Sequence, residues 1–430
     1  MAKPSLNNGG LWHSLRNAWK VAEIRQKLIY TFMMLVLFRL VGVIPAPGVD
    51  YAAVQASMGN NTLPLLDLVN MMTGNNFSSM TIMAMGITPY INASIIMQLL
   101  TIAIPALERI QKSGPDGQKK IAQITRYVTV VLAVIQAIGL VAGLGYIKDG
   151  WFNVVLVGTS MAAGTALSMW IGERITSKGL GNGISLLIFA GIISGMFSGI
   201  STLLMQAFSG TSLQPWITFV CMIIIIIAMV VLVTFVDLGV RRINVQFAKR
   251  VTGRKMYGGQ NSVIPMKVVS VGVLPLIFAY SFMAFPGTII QLIGPESGLS
   301  IWWAQYMNQN SVWYLLVTGL LIIAFTYFYS SISFQPDEMA KNIQQQGGAV
   351  PSVRPGKPTA DYFRRINSRL TLFAALFLAV LATLPTILTA LLQTPLPFAA
   401  SGLLIAVNVV LESKRQLDDL LINRNYDTIS

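Results

Sequence analysis

The chain has 430 residues, 54% of them apolar and only 11% charged, against roughly 25% charged in ordinary soluble domains. Apolar runs long enough to cross a bilayer recur along its whole length, which excludes a large soluble core and makes it a polytopic membrane protein. A formal net charge of +14 would suggest nucleic acid in a soluble chain, but the positions of the basic residues give it another cause.

The polar N-terminal segment holds the single histidine, His13. With one His and with Cys221 as the lone cysteine, inside an apolar run, neither a disulfide nor a His/Cys metal site is expected within the chain. The first span is read at 28–45 and contains Arg39, which can snorkel or pair. It ends at Ile44-Pro45-Ala46-Pro47-Gly48, prolines where a cleavable signal would have a small-x-small site, so no cleavable signal peptide is expected. Next comes Thr62-Leu63-Pro64-Leu65-Leu66-Asp67-Leu68-Val69-Asn70-Met71-Met72, with a Thr cap, an early Pro and helical apolar spacing. It is too short to span. Either it folds back into a bundle, hinged at Gly74-Asn75-Asn76, or it lies flat in the interface.

Further spans are read at 77–103, 121–144, 152–172, 182–207, 215–236, 267–292, 312–334, 367–392 and 397–413. Of the 30 Lys and Arg, Arg39 lies in the first span and Lys148 between the third and fourth. The other 28 fall in or at the margins of alternate segments: the N-terminus, the loops 2–3, 4–5, 6–7 and 8–9, and the C-terminus. By the positive-inside rule both termini are cytoplasmic.

Five spans per half make the second half, 209–430, inverted relative to the first, 1–208. One pattern marks both. Gly86-Ile87-Thr88-Pro89-Tyr90-Ile91 and Gly272-Val273-Leu274-Pro275-Leu276-Ile277 each read Gly-x-x-Pro-x-Ile, in the second span of each half. A helix-weakening Gly/Pro pair at matching positions points to a site where two half-bundles meet and move. A fainter echo links the fifth spans, Ser185-Leu186-Leu187-Ile188 and Ser401-Gly402-Leu403-Leu404-Ile405.

Five plus five inverted spans also suit a secondary transporter of a small solute, which stands as the alternative. Transporters and proton relays carry ionisable groups deep in the bundle. Here Arg39 stands nearly alone, with Asp237 and Glu412 near cytoplasmic ends. An apolar constriction cannot bind an ion, but it excludes one by withholding hydration. The same lack argues against an intramembrane hydrolase or sugar transferase. Without a Gly-x-x-x-x-Gly-Lys-Ser/Thr loop, no nucleotide or other cofactor is expected on this chain.

Two loops project. From Asp237 through Arg241-Arg242 to Lys249-Arg250 and Arg254-Lys255-Met256-Tyr257, polar and apolar residues alternate over 242–248, suggesting a strand in a hairpin. The next loop, about 335–366, contains Gln344-Gln345-Gln346-Gly347-Gly348 and Arg354-Pro355-Gly356-Lys357-Pro358-Thr359. Such basic projections can hold anionic lipid, RNA or an acidic protein surface, or serve only as topology signals.

The chain resembles the SecY/Sec61-alpha family over nearly its full length. The resemblance rests on the first Gly-x-x-Pro-x-Ile with Ala93-Ser94-Ile95-Ile96, and on Gly181-Asn182-Gly183-Ile184-Ser185. It also rests on Arg241-Arg242 through Tyr257, Pro265-Met266-Lys267-Val268, Gly272 to Phe278, and Arg354 to Thr359. The resemblance implies an all-α fold of ten transmembrane helices around an hourglass pore in the bacterial plasma membrane, conducting protein and catalysing nothing. It implies a pore ring of Ile87, Ile91, Ile184, Ile188, Ile277 and Ile405. A plug would comprise Pro64, Leu65, Leu66, Asp67, Leu68, Val69, Met71 and Met72. A lateral gate, between spans two and three and spans seven and eight, would include Pro89, Asn92, Ser94, Pro275 and Ile277. Arg241, Arg242, Lys249, Arg250 and Arg354 would meet a SecA motor ATPase or a ribosome. Other implied partners are SecE-like and SecG-like subunits, preproteins with signal sequences, and membrane lipid. Two places depart from the family pattern. Val269-Ser270 stands where many members have Asn, with Asn92 where Ser is frequent. Ala349-Val350-Pro351-Ser352-Val353 replaces a more usual Phe-Ile-Pro-Gly-Ile.

Overall fold

The apolar runs form helices, and most of these helices start at or next to a glycine or a proline. The structure is a computed structural model that describes residues 16, 18–50, 54, 73–74, 76, 79–143, 150–209, 214–247, 250–252, 255–257, 261–293, 298–307, 311–392 and 400–427. Its contacts divide the chain into two compact units. One comprises 1–215, 284–309 and 397–430, the other 216–283 and 310–396.

In the first unit, α1 (Ala22–Val41), α2 (Thr88–Ala103), α3 (Pro105–Lys112), α4 (Pro115–Gly143), α5 (Trp151–Lys178) and α6 (Gly183–Ser209) follow in order. α2 and α3 meet at a 102° bend. Its cause is Pro105, which forces Ile104 into extended backbone (φ −109°, ψ 110°). α5 packs against α4, α1 and α6 and is half buried along its apolar stretch. Its small residues allow this: a Cβ on Gly158 would sit 2.6 Å from Ile138 Cγ1, and one on Gly164 would strike the Ile82 carbonyl. Arg126 Nε donates to Glu173 Oε1 at 2.7 Å, tying α4 to α5. Thr31 Oγ1 of α1 donates to the Lys27 carbonyl and accepts from the Leu180 amide, each at 2.9 Å, which fixes the turn into α6.

The second unit contains most of α7 (Gln214–Asp237) and the strands β1 (Val240–Phe247), β2 (Arg250–Thr252), β3 (Lys255–Tyr257) and β4 (Asn261–Lys267). α8 (Leu274–Ile293) begins in this unit and continues into the first, which also holds α9 (Gly298–Tyr306). The second unit then adds α10 (Val312–Ser333), α11 (Pro336–Gln345), β5 (Gly348–Ala349) and α12 (Lys357–Leu392). α13 (Ala400–Asp427) returns to the first unit and packs on α6. On α7 the residues Ile217, Val220, Ile224, Ile227, Val231 and Phe235 form an exposed apolar stripe at helical spacing. Water would not tolerate such a face. Lipid does.

The predicted strand is β1, antiparallel to β4 with Ile243 opposite Ile264. β5 pairs with the other edge of β1, Gln246 opposite Ala349, and β2 and β3 form a second, smaller pair. Ile243 and Val245 point inward onto Met266, Ile343, Val350 and Phe363. Pro265, which donates no ladder bond, lies on the edge strand β4.

Each of the ten predicted spans contains a helix. By length and apolarity six stretches among the described residues qualify as membrane spans, and the bent α2–α3 pair makes a seventh. Two expectations need correction. The stretches predicted at 77–103 and 267–292 are not helical throughout: turns occupy 82–87 and 268–273, and α2 and α8 begin only at Thr88 and Leu274. The Gly/Pro pairs therefore do not weaken the middle of a helix. Gly86 (φ +50°) and Gly272 (φ +65°) adopt left-handed backbone two residues before a helix, and Pro89 and Pro275 occupy its second position, where the missing N–H costs nothing.

Candidate functional site

The repeated helix start puts an isoleucine at the fourth residue of two helices, Ile91 of α2 and Ile277 of α8, each 8% exposed. Ile87, 6% exposed, is the N-cap of α2 and stands one turn before Ile91. Ile184 and Ile188 are one turn apart at the start of α6; Ile188 is buried and Ile184 half-buried. That start is firmly held. Asn182 Oδ1 accepts from the Ile184 amide at 3.1 Å and Thr176 Oγ1 from the Gly183 amide at 2.9 Å. Ile405 is buried between Leu404 and Ala406 on α13, which packs on α6. Thus Ile87, Ile91, Ile184, Ile188 and Ile405 lie in the first unit and Ile277 in the second. All six stand on the first two turns of a helix or at its cap.

Pro89, Asn92 and Ser94 occupy the first two turns of α2, and Pro275 with Ile277 the first turn of α8. Asn92 Oδ1 is buried without a hydrogen-bond partner. Val269, where a polar residue was expected from the resemblance, is 6% exposed. Arg241 and Arg242 are exposed on β1, and Arg354 is exposed in the turn before α12, its carbonyl accepting from Thr359 Oγ1 at 2.8 Å. β5 brings the two projecting loops together, which no local pattern announced. Arg250 lies in β2. Lys249 and the whole segment 61–72, with Pro64, Leu65, Leu66, Asp67, Leu68, Val69, Met71 and Met72, lie outside the described residues.

The matching segments run the length of the chain, and so do its relatives. The SecY family profile matches residues 81–413. The chain belongs to the SecY family. A protein translocase subunit SecY of Streptomyces scabiei is 40% identical over 429 residues, spanning 95% of this chain and 98% of the relative. Among solved structures, a protein-conducting channel superposes with a TM-score of 0.68 at 21% identity, covering 94% of this chain and 96% of that one. A SecY structure whose plug domain stabilises the closed state and maintains a membrane seal superposes at 0.65, also at 21% identity, with the same coverage. The SecY-family fold is therefore that of a multi-pass helical channel, and the chain is the channel subunit of a Sec protein translocase.

Proposed function

We propose that this chain passes unfolded preproteins across the bacterial plasma membrane through a pore closed by Ile87, Ile91, Ile184, Ile188, Ile277 and Ile405. The observation that carries this reading is the repeated helix start, which gives Ile91 and Ile277 the same backbone position in two separate parts of the chain. An apolar collar seals against ions because an ion crossing it loses water and gains no ligand. Branched apolar side chains also close around a passing polypeptide of any sequence. The two inverted five-span halves, with both termini cytoplasmic, would open sideways at Pro89, Asn92, Ser94, Pro275 and Ile277 to release apolar segments into lipid. Residues 64–72 would plug the outer side. The channel hydrolyses nothing itself. Exposed Arg241, Arg242 and Arg354, with Lys249 and Arg250, would dock a SecA motor or a ribosome by charge-assisted contacts, while SecE-like and SecG-like subunits complete the assembly.

The test is Ile91→Asn and Ile405→Asn in reconstituted vesicles. Each should wet the constriction, raise resting ion conductance roughly tenfold, a drop of about 1.4 kcal/mol in the barrier, and relax the demand for a strong signal sequence. Unchanged conductance and stringency in both variants would sink the ring assignment.

A further inference from the structure

Arg39 stands in the last turn of α1, the one charge within the apolar stretch 28–45, and such a residue needs partners. Among the described residues it forms no ion pair. It donates instead to two backbone carbonyls far apart in sequence, Nη1 to Gly74 at 3.2 Å and Nη2 to Ala190 at 2.6 Å. Both carbonyls lead to ring residues. On one side, Thr73 is 2% exposed, and its Cγ2 lies 3.0 Å from where a Cβ on Gly86 would stand. Gly86 directly precedes Ile87. Asn76 closes the same segment: its side chain lies against Gly42 at the end of α1, and its carbonyl accepts from the Thr81 amide at 3.2 Å. On the other side, Ala190 stands two residues beyond Ile188 in the continuous helix α6.

We infer that Arg39 is a positioning residue for the seal. Its guanidinium fork sets the start of α2, with Ile87 and Ile91, against α6, with Ile184 and Ile188. α6 is stiff from Ile184 to Ala190, so fixing the Ala190 carbonyl fixes the isoleucines beside it. On the other side the close approach of Thr73 to Gly86 carries the constraint from Gly74 to Ile87. The planar fork matters because one group must reach two acceptors in fixed directions. A lysine, with a compact ammonium on a flexible stem, cannot hold both in that geometry. This inference rests on the ring reading above.

The experiment uses the assembled translocase in vesicles, with Cys221→Ser as background and spin labels at Ser79→Cys and Phe197→Cys. Both positions are exposed, one before α2 and one on α6. Arg39→Leu should broaden or shift the label distance and raise resting ion conductance several-fold per assembled complex; Arg39→Lys should do so less. A merely structural role would lower the yield of complex and leave each surviving complex tight. If Arg39→Leu does not accumulate, Arg39→Lys carries both measurements. Unchanged distances in a tight channel overturn the role of Arg39, whatever Ile91→Asn does. An Ile91→Asn channel that fails to leak overturns the ring reading, and with it the purpose assigned to Arg39, so the two failures are told apart.

Discussion

Gly86 and Gly272 hold nearly the same left-handed backbone, at φ +50° and +65°, ahead of helices that both carry proline second and isoleucine fourth. Their surroundings differ. A side chain on Gly86 would press on buried Thr73, in the segment held by Arg39, whereas among the described residues nothing lies within 4 Å of the Cβ position on Gly272. The second copy is held by covalent connection instead. Six residues of turn, 268–273, join it to β4, and the Val268 amide donates to the Gly239 carbonyl at 2.9 Å beside the start of β1. Both isoleucines are equally buried; what differs is that the second copy is joined by six residues to the sheet that displays Arg241 and Arg242.

The strongest way to break this contrast is to undo the sheet. Val245 is fully buried among Ile343, Val350 and Phe363. In Val245→Asp an unpaired carboxylate would enter that core at about 3 kcal/mol or more, enough to raise the open population of the hairpin roughly a hundredfold. Tryptic cleavage near Arg241 and Arg242 should accelerate accordingly in the assembled complex, with cleavage elsewhere unchanged. Asn244→Asp, on the exposed face of the same strand, should have no such effect. Equal cleavage in the two variants would mean that the sheet is not an independent anchor.

Next in size is the glycine pair itself. Gly272→Ala incurs only the left-handed backbone, about 1–2 kcal/mol. Gly86→Ala incurs the same and also crowds Thr73, adding about 1–3 kcal/mol of overpacking. Thermal unfolding of the purified complexes should therefore rank wild type above Gly272→Ala above Gly86→Ala. Equal losses would show that Thr73 yields freely and that the first copy is no more tightly held than the second.

The pair also shows how far the sequence could be read. Hydropathy located the helices, and alternation from Arg242 located β1, because both are properties of the local chain. Hydropathy also extended the spans from 77 and 267 through turns, since irregular backbone enclosed by protein is as apolar as helix. That is why Gly86 and Pro89 read as a weak point within a span and proved to be a helix start. The two-residue pairing of β5 with β1 has no local signal. Arg39 was conspicuous as a charge in an apolar span, yet its partners were illegible: the carbonyls of Gly74 and Ala190 are groups that every residue carries. The repeat and its fainter echo marked four of the proposed ring isoleucines, Ile91, Ile277, Ile188 and Ile405. Ile87 and Ile184 came only with the family.

The smallest effect calibrates the others. Ser352 is a non-glycine residue in the same backbone region, at φ +68°, at the place where the family pattern has glycine. It is exposed, whereas neighbouring Val350 is buried in the sheet core. Ser352→Gly therefore releases left-handed strain without altering the core. Glycine also gains freedom in the unfolded chain, which offsets part of the benefit, so the net stabilisation should be about 1 kcal/mol or less. The loss in Gly272→Ala should be of similar size and opposite sign, because Ser352 is exposed and no described residue lies within 4 Å of the Cβ position on Gly272. If Ser352→Gly is neutral while Gly272→Ala is costly, backbone strain is not what glycine supplies at Gly272. The second Gly-x-x-Pro-x-Ile would then need the freedom to change conformation there, as a moving gate would, and a static helix start would be too small a role for it.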